Sequence, residues 1–167
     1  MGCSFSNLER VQRLMSTKST SDFIASKGTG DKLDVADASG CLAYININYH
    51  DDDKEIMQVA VDCYVSNRSR ARLHSHLVQL ATTAYKTPKM AQKHANTMAQ
   101  IVGDEIVGKS KNDSEKAKDL GVSKSTYSEC HAPVFDAVFD KVFTPISKAD
   151  DLAKQYWREC KQILENT

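Results

Sequence analysis

The stretch from Asp113 to His131, DSEKAKDLGVSKSTYSECH, most strongly constrains what this chain can fold into. Its spacing is typical of a helix-turn-helix, in which two short helices pack across a tight turn. Ala117 is small where the two helix axes would cross, and Tyr127 would pack back from the second helix. Gly121 can accept the positive φ that ends the first helix, and Ser123 can cap the second.

This motif predicts DNA binding. In such proteins the second helix enters the major groove and reads bases with residues near its N-terminus. The alternative is an αα-corner inside a helical domain that binds no DNA. Lys116 departs from the pattern, because the first helix usually carries an apolar residue there. The predicted base-reading residues are Lys124, Ser125, Thr126, Ser128 and Glu129.

The formal net charge is zero, but the charges are unevenly distributed along the chain. Residues 1–62 hold ten acids and six bases, whereas the 41 residues 63–103 hold six bases and no acid. Such a stretch indicates contact with phosphates, and the alternative is a chance fluctuation on a solvated helical face. The predicted phosphate-contacting residues are Arg68, Arg70, Arg72, Lys89, Lys93, Lys109, Lys111 and Ser123.

The hydrophobic periodicity predicts an all-α fold. We expect an extended or partly disordered arm over residues 1–33, with at most one short helical turn, followed by a compact helical domain over residues 34–167 that contains the helix-turn-helix at 113–131. The one exception is Leu42–Asn48, LAYININ, whose alternation favours a strand, although a buried helix or an extended segment would also fit.

Start and stop signals divide the helical domain further. Helices are predicted from the acidic triplet at residues 51–53 to about Val65, from Arg70 to about Lys86, and from Pro88 to about Val107. After the motif, Pro133 should kink or break the recognition helix and start the next one, and Pro145 should end that helix. Ser147 and Asp150 resemble a capping box that starts a final helix.

Several classes of function lack their sequence signals. The five cysteines are scattered without a CxxC pair, so neither a disulfide framework nor a zinc site is expected. There is no Gly-rich phosphate loop, HExxH or GxSxG, so we expect no enzyme, metal or cofactor. No apolar run is long enough to span a membrane. Met1–Ser6 fits the pattern for N-myristoylation, with Cys3 as a palmitoylation site, which leaves open a lipidated helical interaction module that binds no DNA.

Taken along its length, the chain resembles the Q-type late-gene antiterminators of lambdoid phages. The resemblance rests on the order and spacing of short sequence segments that span most of the chain. In the N-terminal part these are Asn7-Leu8-Glu9, Ser16, Lys18-Ser19, Ser21-Asp22, Gly28-Thr29-Gly30, Asp34-Val35, Ala38 and Gly40. In the C-terminal part they are Leu77-Val78-Gln79-Leu80-Ala81, Ala84-Tyr85, Ser125-Thr126-Tyr127-Ser128 and Pro133-Val134-Phe135-Asp136-Ala137-Val138.

The resemblance implies a regulator in the host bacterial cytoplasm that binds double-stranded DNA in the late promoter and loads onto paused RNA polymerase, which then reads through terminators. It implies the β-flap and σ region 4 of the polymerase holoenzyme as partners, with NusA as a helper. The chain departs from the lambda-type pattern because residues 84–111 hold no cysteine-rich zinc-binding insertion, so that family's zinc site is not carried over. A monomer is expected, since no heptad appears. The alternative is a helix-turn-helix repressor or activator acting at initiation.

Overall fold

The computed structural model describes residues 3–16 and 35–166, apart from the side chain of Leu164, and these residues contain helices and no strand. The all-α prediction is therefore confirmed. The helices are α1 (Ser6–Ser16), α2 (Val35–Asn48), α3 (Lys54–Ser66), α4 (Arg70–Ala84), α5 (Pro88–Ile106), α6 (Asp113–Leu120), α7 (Lys124–Thr126) and α8 (Ala132–Glu165), with a π-helical segment (Tyr127–His131) between α7 and α8.

The long helix α8 forms the centre of the fold, and α1, α2, α3, α4 and α5 all contact it. Along its inner face, Val142, Ile146, Ala149 and Ala153 are almost completely buried. These residues recur at intervals of three and four, which keeps them on one side of a helix. This stripe is the apolar surface that α1, α2 and α3 cover.

The prediction that Pro145 ends a helix is wrong, because Pro145 lies inside α8. A proline in a helix interior removes one backbone hydrogen bond and costs about 3 kcal/mol. Burial of the apolar stripe on both sides of Pro145 offsets that cost. The predicted capping box is wrong for the same reason, since Ser147 and Asp150 lie within the continuous helix.

Asp150 instead caps a different helix. Its carboxylate accepts hydrogen bonds from the backbone N–H groups of Asn7 (3.0 Å) and Leu8 (2.9 Å) and from the Asn7 side-chain amide (2.9 Å). The two backbone groups are orphan donors at the N-terminus of α1, where a negative charge is favourable. The Trp157 indole N–H also donates to the Asn7 carbonyl, at 3.3 Å.

The predicted arm is therefore wrong for Ser6–Ser16, which form a helix with Leu8 and Val11 fully buried against the core. The rest of the arm, including residues 17–33 and the boundary predicted at residue 33, lies outside the described residues. So does Gly2 of the myristoylation pattern.

The strand predicted at Leu42–Asn48 is also wrong, because α2 covers it. Ala38, Cys41 and Ile45 are buried, and their spacing of three and four residues is helical. The β-branched residues that suggested a strand include Ile47, whose side chain is 70% exposed. In a strand, Ile45 and Ile47 would lie on the same face, but here Ile45 is buried and Ile47 faces solvent.

Candidate nucleic-acid interface

The turn between α6 and α7 has the local geometry that its residues predict. Gly121 adopts φ 67°, and the N–H of Val122 donates to the Ala117 carbonyl at 3.0 Å, which closes the end of α6. Ser123 then begins the next helix, since its Oγ accepts the N–H of Thr126 at 3.1 Å. The predicted positive φ of Gly121 and the predicted helix cap of Ser123 are confirmed. Phosphate contact by Ser123, and use of this corner as a DNA-binding helix-turn-helix, stay predictions.

The second helix of the corner differs from the expected short recognition helix. α7 has only three residues and passes through the π-helical segment directly into α8. The Ala132 N–H donates to the Tyr127 carbonyl, five residues earlier, which is the π pattern. Pro133 lies at the beginning of α8, as predicted, but it does not break the helix, because the π-helical segment leads directly into α8.

The π-helical segment is anchored in the core by two rings. Tyr127 and His131 are about 1% exposed, and their rings stack with centroids 6.4 Å apart. Burial raises the pKa of Tyr127 to about 12. Two buried rings four residues apart thus fix this segment and leave the intervening side chains facing outward.

His131 connects this segment to the turn between α4 and α5. Its Nδ1 lies 2.8 Å from the Tyr85 hydroxyl, and its ring centroid lies 4.7 Å from that of His94. Burial, together with the neighbouring His94, lowers the pKa of His131. Burial, and then the charge of Lys93, lowers the pKa of His94. Both rings are therefore held toward their neutral forms, in which Nδ1 of His131 can accept a hydrogen bond from the Tyr85 hydroxyl.

The five predicted base-reading side chains all lie exposed at the beginning of this long helix. Three of them are engaged with near neighbours: Ser125 Oγ donates to Glu129 Oε1 at 3.2 Å, and Thr126 Oγ1 lies 2.8 Å from Ser123 Oγ. Among the described residues, the side chains of Lys124 and Ser128 make no hydrogen bond or ion pair. Lys124 is thus the reader whose side chain is most available to a ligand.

Lys116, the departure from the usual motif, occupies an apolar position. It is 8% exposed, and its ammonium lies 3.8 Å from the centroid of the Phe135 ring. A cation over an aromatic face is attracted by the ring quadrupole, and the long aliphatic stem fills apolar space. Lys116 thereby packs α6 against α8, as an apolar residue would.

The structure divides the predicted phosphate-contacting residues into paired and unpaired groups. Arg70 forms an ion pair with Asp104 at 3.1 Å, and Lys111 forms one with Asp119 at 2.6 Å, which raises the pKa of Lys111. Arg72 lies 3.9 Å from the carboxylate of Glu55. Within the described ranges, four others are exposed and form no ion pair: Arg68, Lys89, Lys93 and Lys109.

These residues also lie at two ends of one helical hairpin. α4 and α5 are antiparallel, since Arg70 at the start of α4 meets Asp104 near the end of α5. Lys89 and Lys93 lie in the first two turns of α5, next to His94, whose ring contacts His131. Lys93 and Asp104 are eleven residues apart, or about 16 Å along the helix. Lys89 and Lys93 therefore lie at the end of the hairpin that is nearer to His131.

Comparison with known proteins gives no relative. The chain matches no family model, no curated protein and no solved structure. The likeness to the Q-type antiterminators therefore stays a prediction from the sequence.

Two further features bear on other classes of site. In residues 3–16 and 35–166, no helix is both long enough and apolar enough to cross a membrane. Over the same ranges, no group of three or more histidine, cysteine or acidic side chains is arranged to hold a metal ion.

Sequence reasoning missed the cluster of Tyr85, His94 and His131. Each of these residues is separated from the next by at least nine positions, and none carries a periodic or spaced signal. The contact appears only when α5 and the π-helical segment are brought together.

Proposed function

We propose that this protein is a DNA-binding transcription regulator that reads double-stranded DNA with the exposed start of its long C-terminal helix. The observation that carries the proposal is the exposure of Lys124, Ser125, Thr126, Ser128 and Glu129 around a rigidly anchored helix start. Placed in the major groove, Lys124 can donate to guanine O6 and N7, and Glu129 can accept from cytosine N4.

Lys89 and Lys93 supply the accompanying phosphate contacts. They are exposed, form no ion pair with the described residues, and adjoin His94, whose ring touches His131. Phosphate contacts fix the orientation of a protein on the duplex without reading its sequence. We assign Arg70 and Lys111 a smaller share, because Asp104 and Asp119 already neutralise them.

The finer proposal is late-gene antitermination. It rests on the resemblance to the Q-type family together with the capped turn at Gly121 and Ser123. In this proposal the protein acts as a monomer in the host bacterial cytoplasm and loads from promoter DNA onto paused RNA polymerase, with the β-flap, σ region 4 and NusA as partners. The alternative within the same class is a repressor or activator that acts only at initiation.

Fluorescence anisotropy with labelled duplexes tests the DNA-binding part. Lys124→Ala should reduce the ratio of affinities for the specific duplex and a random duplex. Lys93→Ala should weaken binding to both duplexes and lower by about one the slope of log affinity against log salt concentration. Lys154→Ala is the matched control, since Lys154 is exposed in α8 about 35 Å beyond His131 along the helix. Equal losses from Lys124→Ala and Lys154→Ala would contradict the placement of the reading surface.

A transcription assay tests the antitermination part. Purified polymerase is started on the protein's own late promoter, upstream of a terminator, and readthrough is measured with and without the protein. The proposal expects readthrough that depends on the promoter element. Binding to the promoter without readthrough would refute antitermination and favour the regulator of initiation.

A further inference from the structure

A cavity on the opposite end of the α4–α5 hairpin collects positive charge from three separate elements. Its volume is about 470 Å³, within the range of small-molecule sites. Arg13 lines it from α1, Arg70 from the start of α4, and Lys109 from the loop after α5. Because these cations are far apart in the sequence, their convergence is a property of the fold.

Basic residues outnumber acidic ones among the residues that line this cavity. Glu9 is the one acid among the lining residues, and its Oε1 accepts from Ser4 Oγ at 2.8 Å and from the Tyr64 hydroxyl at 3.3 Å. Asp104, behind the wall, pairs with Arg70. Over the described ranges, neither Arg13 nor Lys109 has an acid within ion-pair distance. Among the lining residues, three cations thus face one carboxylate, while Asp62, Asp104 and Glu105 lie close by outside the lining. Arg13 and Lys109 are the two lining cations that form no ion pair with the described residues.

The loops around the cavity bring backbone close to the same space. Asn67 and Gly108, at its wall, have positive φ values of 54° and 84°. Beside them, the Ser69 hydroxyl precedes α4 but donates to Asp62 Oδ2 at 2.6 Å and does not cap the helix. The first turn of α4 carries Arg70 and Arg72 and no acid. Positive side chains at a helix N-terminus are unfavourable next to the helix dipole unless an anion binds there.

We propose that this cavity binds a small phosphorylated molecule, with Arg13 and Lys109 holding its phosphate and Arg70, positioned by Asp104, as a third donor. Arginine provides a planar fork for two phosphate oxygens, and lysine provides a point charge. The volume exceeds that of a free phosphate ion, so the remaining space would hold the group that carries the phosphate. This inference does not depend on the proposed DNA binding.

NMR titration of the full chain tests the inference. Inorganic phosphate and a nucleoside monophosphate are added separately at constant ionic strength, so that screening does not change. We expect saturable shifts of the Asn67 and Gly108 amides with both probes and tighter binding of the monophosphate. Inorganic phosphate binding as tightly as the nucleotide would overturn the assignment to a phosphorylated molecule, and shifts that do not saturate would overturn the site itself.

Charge-removing variants locate the binding. Arg13→Gln and, as a second variant in a loop, Lys109→Gln should each weaken nucleotide binding about tenfold. Lys89→Gln, an equal change of charge at the far end of the hairpin, should leave it unchanged while weakening binding to DNA. Equal losses from Lys89→Gln and Arg13→Gln would show general charge attraction and refute the cavity. Failure of DNA binding alone would refute only the proposed function.

Discussion

Replacing Gly121 with alanine tests the geometry of the turn on which the candidate interface depends. Gly121 has φ 67°, and a Cβ atom built there would meet no atom within 4 Å. The cost is therefore conformational and not steric. A left-handed backbone costs an L-residue about 1–2 kcal/mol, whereas alanine recovers about 0.4–1 kcal/mol through the lower entropy of the unfolded chain. The free energy of unfolding should fall by about 1 kcal/mol.

Gly103→Ala is the matched control. It adds the same methyl group, but at a position where alanine should stabilise the protein. Gly103 lies inside α5, and its added Cβ would lie 3.5 Å from Leu77 Cδ1, an ordinary contact. Alanine in a helix interior is favoured over glycine by about 0.5–1 kcal/mol. This variant should therefore be more stable than the native protein.

Both variants are compared by urea and thermal unfolding, followed by circular dichroism. For a chain of this size, 1 kcal/mol corresponds to a shift of about 2–4 °C in Tm. Gly121→Ala should lower Tm by that amount, and Gly103→Ala should raise it. If Gly121→Ala were as stable as the native protein, the turn would not be left-handed, and the placement of Ser123 and Lys124 at a helix start would lose its basis.

Three further predictions concern the contacts that hold the helices together. Gly40→Ala should destabilise by about 1–3 kcal/mol, since its Cβ would lie within van der Waals overlap of the Tyr156 hydroxyl, and Tyr156→Phe should restore part of the loss in a double-mutant cycle. Lys116→Glu should cost at least about 2 kcal/mol, because it buries an anion against the Phe135 ring face, whereas Lys116→Arg should cost less than about 1 kcal/mol by chemical denaturation. The free energy of unfolding should fall as pH drops from about 6.5 toward the lowered pKa of His131, because the unfolded chain then binds more protons than the folded chain. His131→Phe should make the free energy of unfolding depend less on pH, as measured by unfolding curves from about pH 7.5 to about pH 5. An unchanged pH dependence in this variant would refute the prediction.

The parts of the fold that were predictable are those with local signals. Pro88 after Thr87 marks the start of α5, and the Thr87 hydroxyl accepts the Met90 N–H at 3.3 Å, as a cap should. Gly121 and Ser123 mark the turn because each supplies a conformation or hydrogen bond within its own few residues. Such features depend little on the rest of the molecule.

The errors arose where distant contacts outweigh local preference. Pro145 reads as a helix end, but burial of Val142 before it and of Ile146 and Ala149 after it keeps α8 continuous. Asp150 reads as the start of a helix, yet it caps α1 from the far end of the chain. No window of the sequence contains both partners of that contact.

The candidate site shows the same division. The exposure of Lys124 and Ser128 follows from their place at a helix start, and the sequence predicts it. The ion pairs of Arg70 with Asp104 and of Arg72 with Glu55 come from acids outside the acid-free stretch. A count of charges along the chain therefore overstated the basic surface, because folding supplies counter-ions from other segments.

The central claim, that this chain reads DNA with the start of its long helix, is tested most directly by selection from a pool of randomised duplexes. The account predicts that the native protein enriches one sequence motif at physiological salt and that Lys124→Ala loses preference at specific positions of that motif, while Lys93→Ala keeps the motif and weakens all binding. No enriched motif, or the same motif at unchanged strength from Lys124→Ala, would contradict the claim.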